Sequence, residues 1–418
     1  MIYEENGQYR DEIYDMWQRN FHDPAPYADF YFQEVYGKNE ILLNAGSAPE
    51  MTPGEWEETP ALKMMGESEE IIRGMLHLNP YELLVRGREQ QAHYIVGVAT
   101  DKAFRRQGVM RELLLETFSR LRKRGEPFTY LMPADENYYL PFDFRFGMKE
   151  LEREIECFGK APAAQNPRFT FEAGLPEALS EICEAENASR GREFAICTRI
   201  TPAYLTRMEK EVRSDFGRLV RVYRDGVYAG RFVMGAEDDY MVLSQVVCVE
   251  EESLRGQFLY EALYFCEQEY HYGKYQLVLE ETWKPALHPA GNVQGVRLLP
   301  VRKKKRIMFR ILDLERLGTF LSGVRAGRCR IRVRDAFLKE QDGNYLFTVG
   351  EDGGVRIQKT EDLSAPDGGE VSVAALTALL FGEKEMREEE WYEGLTESGR
   401  VVVDGLLPLS PVCIQEFV

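Results

Sequence analysis

The sequence predicts an α+β protein: two α/β-like units in tandem, then a smaller α+β unit. Three observations carry this. A strand–turn–helix–strand run occupies residues 93–132, and a weaker echo of it falls 148 residues later, over 246–263. From about residue 306 the chain alternates apolar and polar residues around Asp-Gly turns. At 418 residues the chain is too long for one core, and 44% hydrophobic with 12% aromatic residues is enough to pack several.

The first unit, expected over 1–155, opens with an amphipathic segment, "YRDEIYDMWQRNF", and an aromatic one, "PYADFYFQEVY". "EILLNA" (40–45), "YELLVRG" (81–87) and "HYIVGVAT" (93–100) read as strands, the last apolar enough to be covered on both faces. A helix follows from about Met110 to Arg124. Leu113, Leu114, Phe118 and Leu121 form its buried stripe, Gly125 its C-terminal cap, and Pro127 its stop. "FTYLM" (128–132) is the next strand.

The second unit, over 156–305, carries the echo. "VVCVEEESLRGQFLYEAL" lies over "VATDKAFRRQGVMRELLL" without a gap, Gly256 on Gly108, and Ser253 replaces the first arginine. In the third unit, over 306–418, "IMFRILDLERLGTFL" predicts a strand leading into a helix. "CRIRVRDAFL", "GNYLFTVGEDGGVRIQK" and "VVVDGLLPL" read as alternating strand-like segments, and "VSVAALTALLFG" (371–382) as an apolar helix.

Composition narrows the partners. A net charge of −18 repels nucleic acid and anionic lipid and attracts amines. The basic run "VRKKKR" (301–306) fits a solvated linker or edge strand at a unit boundary. The seven cysteines include no C-x-x-C pair, as expected in a reducing cytoplasm. The histidines (His22, His77, His93, His271, His288) show no H-E-x-x-H spacing, so no metal is expected. The N-terminus is too acidic for a signal peptide and "VSVAALTALLFG" too short for a membrane span.

Against that acidity, "TDKAFRRQGVMR" gathers Arg105, Arg106 and Arg111 around Gly108 where a strand gives way to a helix. The first amides of a helix lack acceptors, the dipole adds positive potential there, and a glycine lets an anion approach. Such a turn suits a pyrophosphate. No Walker loop and no G-x-G-x-x-G follows any strand, so nucleotide hydrolysis and dinucleotide redox chemistry lack support.

These residues resemble the acetyl-coenzyme A loop of the GCN5-related N-acetyltransferases, V-x-x-x-x-x-x-R-x-x-G-x-[GA]. Val98, Arg105 and Gly108 match, and Met110 departs from the pattern. "YLMPADENYYLPFDFRFGM" is similar to the family's next strand and its IY-x-x-F-G-F segment, with Asp143-Phe144 departing from it. The whole chain resembles the enhanced intracellular survival (Eis) group: tandem GCN5-related N-acetyltransferase folds, the second degenerate, then a sterol-carrier-protein-like domain.

The resemblance implies acetyl-CoA as co-substrate. The backbone of Val98, Ala99 and Thr100 would pair with the pantetheine arm, Val98 N–H would face the thioester oxygen, and the amides of Arg106, Gln107, Gly108, Val109, Met110 and Arg111 would hold pyrophosphate. Ala134 and Asp135 would border the cofactor. Tyr139 would donate a proton to the departing thiolate. Tyr138 is its rival, since alternation along the segment does not choose between them; the alignment to IY-x-x-F-G-F does, with Phe142 on its first Phe and Tyr139 on its Tyr.

An acceptor amine of pKa about 10.4 costs roughly 4.6 kcal/mol to deprotonate at pH 7. In the Eis group the C-terminal carboxylate assists, here that of Val418, with Glu416 and Phe417 beside it. Asp23 is the expected contact for a cationic acceptor, polyamine or aminoglycoside in type. A homo-oligomer is also implied. The alternatives are a carrier of an apolar ligand in the last unit and a protein-lysine acetyltransferase.

Overall fold

The computed structural model describes residues 1–47, 70–287, 293–362, 364–382, 386 and 388–416. The first part of the chain forms β1 (Ile2–Glu4), α1 (Arg10–Phe21), α2 (Ala25–Phe30), β2 (Glu40–Ser47), β3 (Glu70–Val85), β4 (Arg88–Thr100), α3 (Val109–Arg124), β5 (Phe128–Leu131) and β6 (Arg145–Phe146). The middle part forms β7 (Lys149–Glu156), β8 (Thr170–Ala173), α4 (Ser180–Glu193), β9 (Ile196–Thr198), α5 (Pro202–Ser214), β10 (Arg218–Arg224), β11 (Val227–Ala236), β12 (Met241–Cys248), α6 (Arg255–Tyr270), β13 (Tyr275–Glu280), β14 (Arg297–Leu298) and β15 (Arg302–Lys305). The rest forms β16 (Met308–Ile311), α7 (Leu314–Gly318), β17 (Ser322–Gly323), β18 (Gly327–Arg334), β19 (Gly343–Val349), β20 (Val355–Thr360), β21 (Glu370–Ser372), α8 (Val373–Phe381), α9 (Glu397–Asp404), β22 (Leu406–Leu407) and β23 (Val412–Cys413).

Local chemistry explains the central elements. Leu113, Leu114, Phe118 and Leu121 are fully buried along α3, and Gly125 caps it at φ +85° with its N–H on the Arg122 and Leu121 carbonyls. The segments 81–87 and 93–100 prove to be parts of one long hairpin, β3–β4. Arg86 and Gly87 turn it with φ of +47° and +72°, the paired positive angles that match strand twist.

The chain divides into two compact units: Met1–Gly147 with Ile307–Ser410 and Glu416–Val418, and Met148–Arg306 with Pro411–Gln415. In the first unit the main sheet runs β1-β2-β3-β4-β5-β16-β6. Strand β16 pairs antiparallel with β5, Arg310 opposite Thr129, and with β6, Phe309 opposite Arg145. In the second unit the order is β14-β7-β13-β12-β11-β10-β8, and β15 also pairs with β7. Strand β7 follows the first sheet in sequence but belongs to the second; β16 follows the second but belongs to the first. The boundary expected at 155 therefore falls inside β7, and the first unit takes up the chain again at Ile307.

The C-terminal segment adds the sheet β20-β19-β18-β21. Every residue of α8 is buried, and Phe381 stacks on Phe309 at 4.6 Å and meets Phe128 edge-on at 5.3 Å. The helix is core, shared with the first sheet. "VVVDGLLPL" departs from the strand reading: its first half lies in α9, capped by the Thr396 side chain, with Val402 and Val403 buried. Packing of one helical face overrides the β-propensity of three valines. "VRKKKR" is the edge strand β15, its cations answered from β7: Arg302 by Glu154 at 3.1 Å, Lys304 by Glu152 at 3.5 Å.

Candidate active site

In the first unit β4 and β5 run parallel but share one register pair among the described residues, Tyr94 with Tyr130. Beyond it β4 carries a bulge. Its pairing with β3 passes from His77↔Val96 to Met75↔Ala99, and Gly97 takes φ +60°. A Cβ on Gly97 would stand 2.6 Å from the Trp17 ring, so glycine is required twice over. The bulge leaves Val98 and Thr100 half-exposed while Ala99 stays buried. Past the fork, the edge of β4 opposite β3 has no strand partner among the described residues.

The loop that follows is built from its own side chains. Asp101 accepts the Ala103 amide at 3.0 Å, and the Gln107 amide group donates to the Ala103 carbonyl at 3.0 Å. Arg106 at φ +62° and Gly108 at φ +87° turn the backbone into α3, and a Cβ on Gly108 would meet nothing within 4 Å. Val109 is buried and Met110 half-buried. Arg105 donates to Asn20 Oδ1 at 3.0 Å and to the Thr100 carbonyl at 3.3 Å. Among the described residues no carboxylate pairs with Arg105, Arg106 or Arg111. Three cations without a carboxylate partner among the described residues, beside amides without helical acceptors, fit the phosphates of an acyl-CoA.

Across the fork, Ala134 and Asp135 are exposed; the Asp135 carboxylate accepts the Asn137 amide at 2.9 Å and caps a short turn. Tyr138 and Tyr139 separate clearly: 59% of Tyr138 is exposed against 8% of Tyr139. Tyr139 meets Phe144 edge-on at 5.9 Å, and burial pushes its phenol pKa up, so it keeps its proton at neutral pH. Burial also pushes Asp143 up to about 6, against the lowering field of Arg310. The Tyr94 phenol is driven well above its ordinary value, first by burial, then by Tyr81, Glu416 and Tyr139. Glu416 is thus buried within electrostatic reach of the fork. Phe417 and Val418 lie outside the described residues. Asp23 is half-buried and accepts the Trp17 indole N–H at 2.8 Å.

The second unit repeats the plan, with its cleft filled. Strands β12 and β13 pair at Met241, Val242 and Leu243, and Gln245 then takes φ +48°. Buried Arg231 holds Glu186 at 2.8 and 3.1 Å. Strand β23 lies parallel on β9, and Arg190 donates to Gln415 at 2.5 Å and to Cys413 at 3.3 Å. Gln415 and Cys413 both reach Glu280. What remains is a cavity of about 20 Å³, room for one water. Helix α6 starts at Arg255 directly from an αR residue, which puts Gly256 inside the helix rather than at a turn. Arg255 is folded onto Glu193 at 2.6 Å.

Fork, bulge, arginine loop and a buried tyrosine lie within the stretch of the first unit that a family model recognises. Residues 5–147 match the acetyltransferase (GNAT) domain model and residues 314–412 the sterol carrier protein domain model. No curated protein sequence matches the chain. Among solved structures, a probable N-acyltransferase from Enterococcus faecalis is similar at 13% identity and TM-score 0.75, covering 100% of this chain and 99% of that one. A GCN5-related N-acetyltransferase from Kribbella flavida matches at 14% identity and TM-score 0.72 over the full length of both. Eis1 from Mycobacterium abscessus matches at 17% identity and TM-score 0.65, over 97% of this chain and 96% of that one. The chain thus carries an acetyltransferase (GNAT) domain at its start and a sterol carrier protein domain near its end, and over nearly its whole length it shares the fold of these solved structures.

Sequence reasoning missed Tyr94, whose place at the fork depends on which residue of β4 pairs last with β5. It also missed Arg310, 192 residues from the Phe118 ring it covers, and Phe337, 226 residues from Arg111. No local pattern marks them.

Proposed function

We propose that the protein transfers an acetyl group from acetyl-CoA to a primary amine of a small cationic molecule, polyamine or aminoglycoside in type. The parting of β4 and β5 beyond Tyr94, with arginines at its outer end that have no carboxylate partner among the described residues, and with Tyr139 and Glu416 near Tyr94, carries this reading. Bound acetyl-CoA supplies the activated acetyl group. In this reading the amides of 106–111 hold its pyrophosphate, and the freed edge of Val98 to Thr100 aligns the pantetheine arm. Val98 N–H donates a hydrogen bond to the thioester oxygen as negative charge develops on it. Tyr139 holds a proton at its hydroxyl for the departing sulfur. Glu416, Phe417 and the Val418 carboxylate orient the acceptor ammonium and take its proton through water, with Asp23 as an outer contact for a second cationic group. We also assign the protein to the cytoplasm as a homo-oligomer; among the described residues no helix is long and apolar enough to cross a membrane.

The test is release of CoA thiol over a panel of polyamines and aminoglycosides. Tyr139→Phe should lose at least tenfold in kcat with an unchanged melting profile, as loss of a general acid predicts. Residues added after Val418 should also depress kcat. Turnover undiminished in both variants would remove these roles.

A further inference from the structure

The C-terminal segment reaches α3 through two of its residues, Arg310 at Phe118 and Phe337 at Arg111 of the first turn. Arg310, on β16, is fully buried. Its Nη2 donates to Asp335 Oδ1 at 2.8 Å, its Nε to the Phe142 carbonyl at 3.2 Å, and its guanidinium lies 4.4 Å over the Phe118 ring of α3. Asp335 in turn accepts the amides of Phe337 and Leu338, both at 2.9 Å, and the Gln341 side chain at 3.0 Å. The loop after β18 is thereby fixed against the first unit's acetyltransferase domain.

That loop presents Phe337. Its ring centroid is 5.5 Å from that of Phe142, and the Arg111 guanidinium sits 5.3 Å over it. Arg111 is exposed and has no carboxylate partner among the described residues. An aromatic ring behind a guanidinium fixes its plane without cancelling its charge; a carboxylate would fix it and cancel it. Backing of this kind leaves one flat face and an N–H edge for a ligand that is both aromatic and anionic. The nucleotide end of CoA has both properties. With its pyrophosphate on the loop and its acyl end at the fork, the adenosine 3′-phosphate must leave past this turn.

Resting on the acyl-CoA reading above, we propose that Phe337, from the sterol-carrier-protein domain, is a positioning residue for the nucleotide end of acyl-CoA: it holds Arg111 flat so that the guanidinium stacks on the purine and binds phosphate.

Calorimetric titration of the full chain with CoA and with pantetheine tests this without an identified acceptor. Phe337→Leu keeps apolar volume and removes the ring; Phe337→Tyr restores the ring. CoA affinity should fall about fivefold to tenfold in Phe337→Leu, recover in Phe337→Tyr, and fall no further in Phe337→Leu combined with Arg111→Ala than in Arg111→Ala alone. Pantetheine affinity should be equal in all variants, and Phe337→Leu should melt as the wild type does. Equal CoA affinity in wild type and Phe337→Leu, or a matching loss for pantetheine, overturns the inference and leaves the acyl-CoA reading standing. A wild-type chain that binds no CoA overturns both.

Discussion

Gly108 shows how much of the site hangs on one backbone angle. At φ +87° it tolerates a Cβ for space but not for conformation, and a β-branched side chain there is strained. Gly108→Val should cost about 1–2 kcal/mol of stability and raise the KM for acetyl-CoA, read from melting and initial rates. His77 makes a different point. Fully buried, with Nδ1 3.0 Å from the Tyr31 hydroxyl, its pKa is pushed down to about 3 by burial. The folded protein refuses a proton that the unfolded chain accepts below about pH 6.5. Stability therefore falls as pH drops through that window, by roughly 2 kcal/mol between pH 7 and pH 5 from this group alone. Urea unfolding at the two values checks it, and His77→Gln should flatten the slope.

At the level of elements, the two clefts begin alike and end differently. Both sheets carry a bulge and a parallel pair that parts. In the first unit the opening is bordered by freed backbone, arginines and tyrosine; in the second it holds Glu186, Arg190, Arg231 and Glu280 with strand β23. These buried charges balance one another, so deleting one strands the rest. Arg190→Met removes the cation between Glu186, Gln415 and Cys413 and should destabilise the second unit by about 3–5 kcal/mol. Hydrogen exchange would rise across 411–415. An unchanged exchange pattern would mean the strand is held by its backbone pairing alone.

For the molecule as a whole, the crossing of β7 and β16 between sheets removes independence from the sequential parts. A chain ending at Arg306 would lack β16 and expose the edge of β5, together with Phe128 and Tyr130, which in the native fold pack against Phe309. Such a truncation should be insoluble or aggregate on concentration, which size-exclusion chromatography would read. Recovery of a monodisperse, CoA-binding protein from residues 1–306 would contradict this.

The sequence by itself determined the local units of this protein. The stripe of α3, its glycine cap, the arginine–glycine loop and the apolar strand before it are short-range patterns, and each is found where the pattern put it. The second unit's helix was legible too, although Gly256 marked a turn that never forms because no left-handed residue precedes α6. Tertiary structure decided the rest. Alternation could not separate Tyr139 from Tyr138; the family pattern favoured Tyr139, and burial against Phe144 is what sets the two apart in the fold, while "VVVDGLLPL" became partly helical because one of its faces is packed. The sheet partners of β7 and β16, and the support of Arg111 by Phe337, join residues far apart in the chain. Strand pairing and ring stacking depend on which surfaces meet, and periodicity along a chain records which face is buried but not against what.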